Sequence, residues 1–70
     1  MLLPERADVR LEIFDLQGRR TRTMNSSFAP GEHRVIWDRK TDAGGIAPRG
    51  IYSVRLTAGS RQAVARLTVR

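Results

Sequence analysis

Residues 9–13 read Val9-Arg10-Leu11-Glu12-Ile13, with apolar and charged side chains in strict alternation. Successive side chains of a strand point to opposite faces, so this stretch is a half-buried strand with Val9, Leu11 and Ile13 turned inward. Asp15-Leu16-Gln17-Gly18 follows as a tight turn, with Gly18 free to take a positive φ. Arg19 to Met24 is the expected return strand, weakly apolar and therefore at an edge, and Asn25-Ser26-Ser27 is expected to be a loop. Pro30-Gly31 is a strong turn signal. It introduces an expected strand from Glu32 to Trp37, with His33, Val35 and Trp37 on one face and Arg34 and Ile36 on the other.

The same period governs the second half. Asp38 to Gly50 is the longest irregular stretch, rich in glycine. Ile51 to Thr57 then forms a strand with Tyr52, Val54 and Leu56 on one face and Ser53 and Arg55 on the other. Ala58-Gly59-Ser60-Arg61 reads as a hairpin turn. A last strand runs from Gln62 to Val69, with Ala63, Ala65, Leu67 and Val69 sharing one face. No helical stripe interrupts this order. Closely spaced strands with turn signals about every ten residues predict an all-β fold, a small sandwich or barrel.

Length and composition narrow the function classes. Seventy residues allow one domain, which buries only about 60% of its extended surface. There is no cysteine, hence no disulfide and no thiolate chemistry. Thirteen basic residues against seven acidic ones leave a net charge of +6. All of the basic residues but Lys40 are arginine, the phosphate-pairing cation, so a small basic β-barrel that binds nucleic acid is the runner-up reading. The arginines are scattered along the chain, as on solvated strand faces, which makes nucleic acid the lesser expectation. No apolar run approaches the ~20 residues of a membrane helix. Met1-Leu2-Leu3-Pro4 is too short for a signal peptide and lacks its basic start.

Catalytic constellations are not expected. His33 is the sole histidine and has no cysteine beside it, so a structural role outweighs a metal or catalytic one. The serines lack a nucleophile context. Gly44-Gly45 lacks the lysine and following helix of a phosphate loop. Asp38 and Asp42, with the backbone of residues 43–45, are a weak calcium candidate, offering hard oxygen ligands. Arg39 and Lys40 between them oppose a cation, and an ordinary capped loop is the favoured reading. Cofactors are expected to be none. Phe14 falls out of phase with the inward residues of its strand; covering a second apolar face or marking a contact surface are the lesser readings, and packing under the Phe28 loop is the favoured one.

Several side chains have structural work to do. Trp37, the lone tryptophan, should anchor the core. Asp38 should accept backbone N–H bonds where its strand ends. Gly45 and Gly50 suit backbone positions closed to other residues. Pro48 stops the ladder before the strand carrying Tyr52, whose hydroxyl needs a partner.

The ordered residues Leu3-Pro4, Val9-x-Leu11-x-Ile13-x-Asp15-x-x-Gly18-Arg19, Pro30-Gly31-x-His33-x-Val35-x-Trp37-Asp38, Asp42-x-x-Gly45-x-x-Pro48-x-Gly50-Ile51-Tyr52 and Arg55-Leu56, with a basic closing strand, carry a resemblance. The chain resembles the immunoglobulin-like C-terminal domain of the flagellar hook-capping protein, and equally the C-terminal secretion or sorting modules of bacterial surface proteins. The resemblance implies a β-sandwich of five or six strands and a non-catalytic role in capping, attachment or secretion targeting, outside the cytoplasm. It covers essentially the whole chain. Three departures stand out. The strand that usually precedes Leu-Pro is missing or trimmed, Arg39 replaces a common glycine, and Thr21 replaces an apolar residue. An unpartnered sheet edge attracts another strand, so the chain is expected to self-associate or to meet a protein partner there. A truncated or engineered fragment that self-associates is the remaining alternative.

Overall fold

The computed structural model describes residues 2–70. Met1, the first residue of the Met1-Leu2-Leu3-Pro4 stretch, lies outside them. Six strands follow in order: β1 Leu2–Leu3, β2 Ala7–Phe14, β3 Arg20–Phe28, β4 Gly31–Glu32, β5 Gly50–Ala58 and β6 Arg61–Val69. They form two antiparallel sheets and no helix, an arrangement consistent with a small immunoglobulin-like sandwich. The larger sheet has the order β3-β2-β5-β6, and β1 and β4 form a two-stranded ribbon.

The register explains the core. Leu11 pairs with Leu56 and Ile13 with Val54, while Tyr52 pairs with Leu67 and Gly50 with Val69. Directly paired residues share a face, so one face of the large sheet collects the apolar side chains. Leu11, Ile13, Tyr52 and Val69 are buried there with Ala47 from the long loop. Met24, Trp37, Val54, Leu56 and Leu67 are half-buried against them. Val9 is buried on the same face.

Two strand boundaries differ from the sequence expectation. Asn25-Ser26-Ser27 is strand, not loop: β2 runs beside it, so Val9 pairs with Ser26 and Arg10 with Asn25. A neighbouring ladder overrides weak local propensity. Conversely, the expected strand from Glu32 to Trp37 shrinks to β4, which among the described residues pairs with Leu2–Leu3 alone. Among the described residues no strand pairs with residues 33–37. Trp37 therefore sits in ladderless chain. Val35, expected on the inner face, is 40% exposed.

Candidate functional site

The long loop after Trp37 is built from its own hydrogen bonds. The Asp38 carboxylate accepts the Lys40 amide at 3.0 Å, an Asx turn that reverses the chain. Thr41 and Gly45 bond through their backbones at 2.9 Å, and the Thr41 hydroxyl accepts the Gly45 amide at 3.1 Å. The Ala47 amide donates to the Arg39 carbonyl at 2.8 Å, and the Arg39 guanidinium returns to the Ala47 carbonyl at 3.1 Å. Arg39 holds this position with φ 69°, a left-handed conformation that suits the glycine it replaces. The glycine that needs conformational freedom in this turn is Gly44, at φ 94°, and not Gly45 as expected. A Cβ on Gly45 would meet only an ordinary contact with Thr41.

An aromatic pair fastens the loop to the sheet. The Trp37 and Tyr52 rings meet edge to face, 5.4 Å between centroids. The Trp37 indole N–H donates to the Lys40 carbonyl at 3.0 Å, and the Tyr52 hydroxyl donates to the Pro48 carbonyl. Pro48 and Gly50 thus lead the chain into β5, with Tyr52 as the corner. Gly50 opens that strand at φ 154°.

The turn of this loop also lies along one margin of the large sheet. The Asp42 amide donates to the Thr21 carbonyl at 3.0 Å, and the Asp42 carboxylate accepts the Thr23 amide at 3.0 Å. Its other oxygen stands 3.7 Å from the Arg22 guanidinium. Asp42 behaves as a one-residue extra strand that closes the β3 edge over Thr21–Thr23. The two calcium candidates, Asp38 and Asp42, are each engaged by the chain's own donors. Among the described residues no group of three or more ligating side chains could hold a metal ion.

The opposite margin is β6. A two-residue turn, Gly59-Ser60, joins it to β5, and Gly59 takes φ 61° as the first residue of such a turn requires. That turn closes on the pair Ala58 and Arg61. Hydrogen-bonded and free pairs then alternate, so the backbone groups of Gln62, Val64, Arg66 and Thr68 point away from β5. No described strand lies on that side. Residues 61–66 are exposed throughout, and Val64 is 72% exposed.

The outer face of the large sheet holds a feature that alternation alone misses. Glu12 is buried, 5% exposed. It accepts two hydrogen bonds from Arg55, at 3.0 and 3.1 Å, and stands 3.5 Å from Arg20. The hydrogen bonds and charge of Arg55, helped by Arg20 and Arg10, hold its carboxyl below the ordinary range against the opposing effect of burial. The signal was in the register: Glu12 pairs with Arg55 across β2 and β5. The Arg55 guanidinium also lies 5.3 Å above the Phe14 ring. Phe14 is therefore covered by Arg55 and not by the Phe28 loop, which sits at the other end of β2. Phe28 instead packs on His33, 4.9 Å between centroids, and a His33 ring nitrogen lies 2.6 Å from the Ala29 carbonyl.

At the β2–β3 turn, Asp15 accepts the Arg19 amide at 2.9 Å, the Gln17 amide at 3.0 Å and the Arg19 guanidinium at 3.1 Å. The Arg19 amide is the largest of the causes that hold its carboxyl low.

These features define a small antiparallel β-sandwich module whose loops and sheet margins, and no reactive cluster, are its distinctive surfaces. Comparison with known families matches the FlgD Ig-like domain over residues 1–62. The chain belongs to that family. No curated protein and no solved structure matches it. The family is a structural domain associated with the flagellar hook, an exported assembly. No helix of the described residues is long and apolar enough to cross a membrane.

Proposed function

We propose that residues 1–70 act as one non-catalytic immunoglobulin-like domain within a larger exported or surface protein of a bacterium. Its work is capping, attachment or secretion targeting, performed by protein recognition through sheet edges and loops, with no cofactor and no reaction. The observation that carries this is membership of the FlgD Ig-like family across residues 1–62. An uncovered β6 edge supports it, because free backbone groups are the commonest means by which a sheet takes a partner strand. The edge admits either another protein or a second copy of the chain. A charge of +6 on each copy opposes the second.

The test is deletion of this segment from the gene in its native cell. The parent protein is expected to be made but to lose its assembly or its surface location. Unchanged assembly and location overturn the proposal. The nucleic-acid alternative predicts binding to DNA or RNA that falls steeply with salt. The present proposal expects none.

A further inference from the structure

We propose that the free edge of β6 takes an extended segment of another protein in which apolar residues alternate with acidic ones. This rests on the interaction-module reading above and names the partner's chemistry.

Three observations meet at β6. The first is the row of outward backbone groups at Gln62, Val64, Arg66 and Thr68, which offers an incoming strand its ladder. The second is a groove beside the second half of β6, where Ile36 and Trp37 of the ladderless segment face Leu67 and Val69. Ile36 is 81% exposed there. The inner side chains of an added strand would enter this groove and cover Ala63 and Ala65, both exposed on the core face.

Charge is the third observation. Asp42 is the last acidic residue of the chain, while Arg49, Arg55, Arg61, Arg66 and Arg70 follow it. Of these, Arg55 is neutralised by Glu12. Among the described residues Arg61, Arg66 and Arg70 make no ion pair. Arg34 and Arg70 also border the groove. A strand that is apolar on its inner face and acidic on its outer face satisfies both surfaces, with an acid beside Arg66 in the outer row.

The same features rank the other occupants lower. A second copy would bring an edge with the same arginines and no carboxylate of its own. Nucleic acid would meet the arginines but leave the backbone row and the apolar groove unused.

The test is amide hydrogen exchange of the full chain with a blocked seven-residue peptide of alternating valine and glutamate, and with its valine–lysine counterpart. The glutamate peptide should slow exchange at Val64 and Arg66 and leave Thr23 unchanged. The lysine peptide should bind at least about tenfold more weakly. Val64→Pro should keep the fold, because proline is tolerated where an edge N–H faces solvent, and should abolish the protection. Arg66→Glu should shift the preference toward the lysine peptide, and it serves if the proline variant unfolds.

Several results would overturn the inference. They are protection at Asn25 and Ser27 in place of β6, equal binding of both peptides, and no protection with either. So would slowed exchange along β6 caused by dimerisation without peptide, or by an oligonucleotide that displaces the peptide. Each leaves the module reading to its own deletion test, which reads the location of the parent protein and no peptide binding.

Discussion

The two margins of the large sheet solve the same problem in opposite ways. At β3, Asp42 reaches over from the long loop and takes the place of a strand, donating to Thr21 and accepting from Thr23. At β6 a nine-residue strand of largely small and apolar residues ends the sheet with no described strand paired to its outer side. An edge of unpaired backbone groups invites pairing, and proteins commonly blunt it. That one margin is closed at Thr21–Thr23 by a dedicated residue, while the other carries no such cover anywhere along its described length, is the difference on which the functional account depends.

The comparison is broken most completely by destroying the core that both margins share. Ile13→Ala removes the most fully buried large side chain, and about 2–5 kcal/mol of stability should be lost in chemical denaturation. Protection should then fall together at Thr23 and at the β6 amides that face β5, such as Ala65.

Trp37→Ala acts on one side first. It unfastens the loop from Tyr52 and so releases Asp42 from β3. Trp37 is only half-buried, so the loss should fall near the lower end of the aromatic range, about 3 kcal/mol. Exchange at Thr23 should rise more than exchange anywhere along β6.

Asp42→Ala sharpens the contrast further. It takes one acceptor from Thr23 while leaving the core intact, and the expected loss is about 1 kcal/mol. Thr23 should exchange freely, and Ala65, whose amide points toward β5, should not change. Equal changes at the two positions would show that Asp42 supports the whole sheet and not one edge.

Acidity probes the face between the margins. Glu12 and Asp15 both have folded pKa values held below their ordinary ones, 4.5 and 3.8. Their contribution is therefore complete above those ordinary values and is lost as pH falls through the lower, folded ones. Stability should decline on acidification below about pH 4.5, and Glu12→Gln should flatten that decline when melting is followed against pH. An identical pH profile in the variant would remove Glu12 from the account.

Arg39 gives the smallest effect. Arg39→Gly and Arg39→Ala both lose the guanidinium bond to Ala47, but only alanine keeps a Cβ at φ 69°. The glycine variant should be more stable than the alanine variant by about 1 kcal/mol in denaturant titration.

Much of this was legible in the residues themselves. The inward row of Val9, Leu11 and Ile13 and the turns at Gly18 and Gly59 follow from period and turn chemistry, which are local. What was hidden depends on neighbours. Asn25-Ser26-Ser27 looks like loop because its propensity is low, yet β2 recruits it into the ladder. Residues 33–37 look like strand because they alternate, yet no described strand pairs with them. Glu12 reads as a solvated charge until the register places Arg55 opposite. Asp42 reads as a loop acid or an ion ligand until the fold lays its turn along β3. Long-range pairing decides each of these, and single-residue patterns carry little of it.

The contrast between the margins can be read directly from native-state amide exchange of the unliganded chain. The Thr23 amide should be protected by its bond to Asp42, and the Val64 amide should exchange nearly as fast as a free peptide. Strong protection at Val64 in the isolated monomer, or none at Thr23, would contradict the account.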